Sequence, residues 1–152
     1  MCGISGFFNN SKISQEEFKS MNDALLHRGP DGGRELFFKH NTVALGHRRL
    51  AILDLSHEAD QPMTYEDSGL WLIFNGEIYN YKDVRKELEG HGEVFTTQSD
   101  TEVLLRALIE WGEDALTRLN GQFGFAFYDR EEDRLLLGRD RFGERPLFYT
   151  TN

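Results

Sequence analysis

Strand-like and helix-like stretches of this chain come in blocks, and that order narrows its fold more than any other feature. Residues 2–9 suit a strand and residues 15–26 a helix. Residues 35–38 and 42–53 read as two strands joined tightly at His40-Asn41, and residues 70–74 form a short run apolar on both faces. Helices are expected from about Asn80 and again after Ser99, followed by strands over residues 123–128, 134–138 and 147–150. A doubly wound parallel sheet needs strands alternating regularly with crossover helices. Blocks of strands joined by short turns favour antiparallel sheets covered by helices, an α+β class.

Local chemistry marks the helix ends. Ser14-Gln15-Glu16-Glu17 is a capping box with Ile13 and Phe18 placed as a hydrophobic staple, and Phe18, Met21 and Leu25 make the expected apolar face. Gly29-Pro30-Asp31-Gly32-Gly33 cannot continue that helix. The second helix would carry Tyr81, Val84 and Leu88 on one face and stop at Gly90-His91-Gly92. Ser99-Asp100-Thr101-Glu102 is a second capping box ahead of a stripe of Val103, Leu104, Ala107, Leu108 and Trp111.

Composition excludes several functions. With 26 acidic and 17 basic residues among 152, the net charge of -9 has the wrong sign for a partner of nucleic acid. No apolar run approaches the ~18 residues of a spanning helix, and no basic segment follows Met1, so a cytoplasmic protein without a membrane partner is expected. One cysteine allows neither an internal disulfide nor a cysteine zinc cluster, so Cys2 is either a packing residue or a reactive one.

Cys2 heads the first strand beside small neighbours, and removal of Met1 would make it residue one. A free α-amine, with an unperturbed pKa of ~7.7 to 8.0, would then stand beside the thiol as a base. The six residues from His27 to Gly32 suit either a rigid loop held against a site or a helix stop with a local ion pair. Arg48 and Arg49 alternate within one strand, so one of them should point inward, where a guanidinium fork matches a carboxylate. Asn75-Gly76 is a strong hairpin-turn dipeptide, yet an asparagine amide and a glycine N–H are also the donors an oxyanion wants. Asp100 is stabilised in a capped first turn in any protein, and could also meet an ammonium group.

Taken together, Cys2-Gly3-Ile4, His27-Arg28-Gly29-Pro30-Asp31-Gly32, His47-Arg48-Arg49-Leu50-Ala51-Ile52, Asn75-Gly76-Glu77-Ile78-Tyr79-Asn80, Ser99-Asp100-Thr101-Glu102 and Gly138-Arg139-Asp140-Arg141-Phe142-Gly143 resemble the N-terminal glutaminase domain of the asparagine synthetases, a branch of the class II glutamine amidotransferases. The resemblance implies an N-terminal nucleophile fold, two antiparallel sheets sandwiched between helical layers. It implies hydrolysis of L-glutamine through a Cys2 γ-glutamyl thioester, with Asn75 and Gly76 at the oxyanion. Arg49 would hold the α-carboxylate, Asp100 and Glu77 the ammonium and amide end, and Leu50, Ile52 and Leu53 would wall the pocket. It implies no metal and no cofactor in this chain, ATP and magnesium belonging to a synthetase domain or subunit as partner, and it leaves a homodimer open. The near alternatives are an amidotransferase with another acceptor, such as a sugar acid in polysaccharide synthesis, and a non-catalytic remnant.

The chain departs from the family pattern at Gln98, at Gly121-Gln122-Phe123-Gly124-Phe125 and at Glu144-Arg145. It also lacks the Ser-Gly-Gly-Leu-Asp-Ser pyrophosphate loop of the synthetase half, so it is expected to be a glutaminase domain over residues 1–152 without the synthetase part. The resemblance implies that such a domain continues past the strand that Pro146-Leu147-Phe148-Tyr149 matches, so truncation at the C-terminus is expected.

Overall fold

A computed structural model describes residues 2–10, 12–51, 56–66 and 68–151. Strands β1 (Gly3–Phe7), β2 (Gly32–Phe38) and β3 (Val43–Arg49) form an antiparallel sheet in the order β1-β3-β2. Strands β4 (Met63–Thr64), β5 (Leu70–Ile78), β6 (Gly121–Asp129) and β7 (Arg134–Arg139) form a second antiparallel sheet in chain order. Helix α1 (Gln15–Asp23) covers the first sheet, where Phe18 meets Phe7 and Phe37 edge to face at 5.2 and 5.5 Å. Helices α2 (Tyr81–Gly90), α3 (Asp100–Trp111) and the short α4 (Ala115–Arg118) cover the second through Val84, Leu88, Leu104, Leu108 and Ala115. The expected sandwich is therefore present.

The alternation of side chains along the strands positions the site. Val43 and Leu45 of β3 meet Ile73, Ala126 and Tyr128 of the second sheet in an apolar seam. Side chains two residues apart share a face. The register that buries Val43 and Leu45 therefore carries His47 and Arg49 into the same seam, and the one that buries Ile73 brings Asn75 and Glu77 there. The seam turns polar as it opens.

Several local expectations need correcting. Asn75-Gly76 is not a hairpin turn: β5 runs on to Ile78, with Asn75 opposite Gly124 and Gly76 opposite Phe123. Strand β3 stops at Arg49, because the next N–H groups leave the ladder, Leu50 for the Cys2 sulfur and Ala51 for the Asp31 carboxylate. Residues 52–55, which the expected strand would have included in part, lie outside the described residues. The first capping box closes as expected, but α1 ends at Asp23 and buries Phe18 and Asn22 while Met21 stays 46% exposed. At α3 only half of the box forms. Ser99 accepts the Glu102 N–H at 3.2 Å, whereas the Glu102 carboxylate turns to the N–H groups of Thr96 and Thr97. Residues 147–150 join neither sheet, and Phe148 and Tyr149 are exposed.

Candidate active site

Cys2 lies just ahead of β1, whose register sets Gly3 against Arg48 and so brings Cys2 level with Arg49. Its sulfur accepts the Leu50 N–H at 3.4 Å, and the Leu50 carbonyl is 3.7 Å away. The segment from His27 to Gly32 braces this corner and forms no local ion pair. Arg28 donates through Nε to the Cys2 carbonyl at 3.1 Å. Asp31 ties down the end of β3 twice, donating its N–H to the Arg49 carbonyl at 3.0 Å and accepting the Ala51 N–H at 2.9 Å. Gly29 is needed for close approach, since a Cβ there would lie 2.3 Å from the Arg48 carbonyl group.

The two arginines separate as alternation requires. Arg48 turns to α1, where it pairs with Asp23 and donates to the Asn22 carbonyl at 3.3 Å. Arg49 enters the seam and donates through Nη1 to Asp60 Oδ1 at 2.5 Å and to the Ser56 carbonyl at 2.7 Å. Asp60 in turn faces His57 Nδ1 at 3.0 Å. Burial raises the Asp60 pKa, but the hydrogen bonds from His57 and Arg49 outweigh it and hold the carboxyl below its ordinary value.

Across the seam, Asn75 is 5% exposed and its side-chain amide makes no hydrogen bond to any described residue. Gly76 is held by its neighbours in β6, because a Cβ would lie 2.3 Å from the Gln122 carbonyl oxygen and 2.6 Å from Phe123 Cα. Asp100, in the first turn of α3, accepts the Ile78 N–H at 3.0 Å. Burial pushes its pKa up to about 6 against that hydrogen bond, and the nearby charge of Glu77 adds to the rise. Two carboxylates side by side with one of them buried form a place for a cation.

These groups converge on one cavity of about 150 Å³. Of the residues expected from sequence, Cys2, Arg49, Leu50, Asn75, Gly76, Glu77 and Asp100 line it, while Ile52 and Leu53 lie outside the described residues. His47, Gln61, Thr101 and Arg145 also line it and were not expected. Counting back two residues from Arg49 would have found His47. Arg145, set aside as a departure from the family pattern, reaches the cavity because the Asp140 carboxylate gathers the N–H groups of Phe123, Phe142, Glu144 and Arg145 at 2.9 to 3.1 Å. Gln61 and Asp60 left no sequence signal. Among the described residues no cluster of three or more His, Cys, Asp or Glu side chains could hold a metal ion.

A thiol, an unbonded amide, a guanidinium and a carboxylate pair around one cavity can take a zwitterion with a carbonyl at its far end. Two stacked antiparallel sheets between helical layers, with a cysteine heading the first strand, make this an N-terminal nucleophile fold. The chain belongs to the glutamine amidotransferase domain family, whose match extends over residues 1–152. It is 44% identical to asparagine synthetase (glutamine-hydrolyzing) 1 of Bacillus subtilis, over 99% of this chain and 24% of that protein. It is 33% identical to the amidase chry2 of Gibberella zeae, again over 24% of the relative. The chain thus spans about a quarter of the length of these curated relatives. The solved glutamine phosphoribosylpyrophosphate amidotransferase of B. subtilis shares the fold, with a TM-score of 0.78 at 21% identity over 96% of this chain and 38% of that one. No described helix is long and apolar enough to cross a membrane.

Proposed function

We propose that the chain hydrolyses L-glutamine to glutamate and ammonia and hands the ammonia to a synthetase part that makes asparagine from aspartate. The observation that carries this is the convergence of the Cys2 sulfur, the Asn75 amide, Arg49 and the Glu77–Asp100 pair on one cavity. Once Met1 is removed, the Cys2 α-amine takes the thiol proton and the sulfur adds to the side-chain carbonyl of glutamine. The Asn75 amide and the Gly76 N–H receive the oxyanion. The ammonium of Cys2 returns the proton to the departing nitrogen, the C–N bond breaks and ammonia leaves. Water then adds to the γ-glutamyl thioester, the C–S bond breaks, and glutamate and the free thiol are regenerated. Arg49 holds the α-carboxylate, with Leu50 as wall and residues 52 and 53 next in the chain. Asp100 and Glu77 hold the α-ammonium.

This chemistry uses only groups of the chain itself, and ATP with magnesium would belong to the synthetase part. Aspartate is favoured as acceptor over a sugar acid because relatives 44% identical to the chain are named asparagine synthetases. A cytoplasmic location fits such a partnership. Intact-mass spectrometry tests the core of the proposal: Met1 should be absent, a glutamine-mimicking diazo ketone should add once, and Cys2→Ala should lose both the adduct and ammonia release. Undiminished turnover in Cys2→Ala would overturn it.

A further inference from the structure

We infer that His47 is a positioning residue of this site, an imidazole that braces the Phe74–Asn75 peptide and thereby aims the Asn75 amide and the Gly76 N–H. The inference rests on the glutaminase reading above and concerns a residue with no part in that chemistry. It starts from an edge of the second sheet. Strand β4 begins only at Met63, opposite Leu72, so β5 runs on past its outer neighbour just before Asn75. The Phe74 N–H on that open edge is taken by the Gln61 side chain at 2.6 Å, and Gln61 is anchored in turn to the Thr101 hydroxyl at 3.2 Å.

In an antiparallel strand the N–H and C=O of one residue point to the same side. The Phe74 carbonyl therefore also leaves the open edge, and the His47 imidazole, arriving from β3, lines the same cavity as Phe74 within electrostatic reach of that carbonyl. His47 is 1% exposed and lines the cavity, yet neither ring nitrogen completes a hydrogen bond of normal geometry with a described residue. Buried polar atoms without partners are uncommon and costly to keep. Val43 and Leu45, on the same face of β3, are plain core. A hydrocarbon would fill the place of His47 more cheaply unless its N–H has work to do. That work is to close on the Phe74 carbonyl when substrate fills the cavity and so fix the one peptide that joins the core of β5 to Asn75. Gln61 grips the same residue through its N–H, leaving His47 the carbonyl.

Three variants of the whole chain test this: His47→Phe, His47→Leu and His47→Gln. Steady-state ammonia release, thermal melting and the rate of Cys2 alkylation by iodoacetamide are measured on each. Alkylation needs the thiol and no oxyanion donors, so it should stay within about twofold of wild type. The apolar variants should lose about tenfold or more in kcat with KM changed less than about threefold, the pattern of an interaction made mainly in the transition state. His47→Gln, which keeps an N–H, should recover at least about a third of wild-type kcat. Folded apolar variants with wild-type kcat would overturn the inference, as would a glutamine variant no better than they are. If neither apolar variant folds, a folded His47→Gln below about a tenth of wild-type kcat overturns it and a near-normal one supports it. A wild-type chain that has lost Met1 and releases no ammonia would sink the glutaminase reading itself, and the role of His47 with it.

Discussion

Asn75 shows how one residue can be legible for the wrong reason. Followed by glycine it reads as a turn, but it lies inside β5 with its amide facing the cavity and bonded to no described residue. A turn residue could be changed to aspartate without harm, whereas at a site 5% exposed and close to Glu77 and Asp100 a third carboxylate would be both buried and repelled. The cleaner probe is Asn75→Ala, which removes the donor and adds no charge. It should lower kcat by ~10² to 10³ with little change in melting temperature; a folded alanine variant with normal kcat would remove Asn75 from the oxyanion. Arg49 invites a paired test. Arg49→Lys loses the fork, so KM for glutamine should rise far more than kcat falls, and Asp60→Asn, which frees the guanidinium from one of its anchors, should move KM the same way by about tenfold. If Asp60→Asn leaves KM unchanged, the Asp60 contact does not set the geometry of the clamp.

At the scale of elements, the parts governed by local chemistry were readable and the parts governed by a neighbouring strand were not. The Ser14 box and the third helix follow from side chains within a turn of each other. The length of β5 depends on β6, more than forty residues away in the chain, and the end of β3 depends on Cys2 and Asp31 drawing off two N–H groups. Neither dependence leaves a periodic signal. The same holds at the site. Arg49 and Asp100 stood out as charged residues in recognisable motifs, while Gln61 and Asp60 matter only because the loop carrying them folds back onto β3 and β5. Glycines make the difference measurable. A Cβ at Gly76 would meet backbone atoms of β6 at 2.3 and 2.6 Å, whereas one at Gly90, within α2, would meet nothing within 4 Å. Gly76→Ala should therefore destabilise the fold by about 2 kcal/mol or more. Gly90→Ala should stabilise it by about 0.5–1 kcal/mol. Urea unfolding of the two variants checks both, and equal midpoints would mean that β5 and β6 can move apart at no cost.

Two buried groups at the mouth of the seam give the whole molecule opposing responses to pH. Burial first, and then the charge of Arg49, push the His47 pKa down to about 4 against weaker pulls from Asp60 and the Phe74 carbonyl. An unfolded histidine takes its proton near pH 6.5, so between about pH 4 and 6.5 the unfolded chain holds a proton that the folded one refuses, and stability rises with pH. Asp100 works the other way. Its folded pKa of about 6 exceeds that of an unfolded aspartate, so the folded chain holds the extra proton and stability falls as pH rises from about 4 to 6. Each displacement corresponds to up to about 3 kcal/mol, so over this window the two slopes largely cancel in the wild type. Asp100→Asn keeps an oxygen to accept the Ile78 N–H and removes one slope. Relative to wild type, it should gain up to about 3 kcal/mol between pH 4 and 7 while losing affinity for glutamine, whose ammonium needs the carboxylate. His47→Gln should show the mirror image, more stable than wild type at pH 4 and converging on it by pH 7. Urea unfolding of wild type and both variants at pH 4, 5, 6 and 7 measures the differences directly. A stability difference for Asp100→Asn that does not change with pH would mean that Asp100 titrates as an ordinary exposed carboxylate. The wild-type KM should then also lose its expected rise below pH 6, where protonation of Asp100 removes the partner of the substrate ammonium.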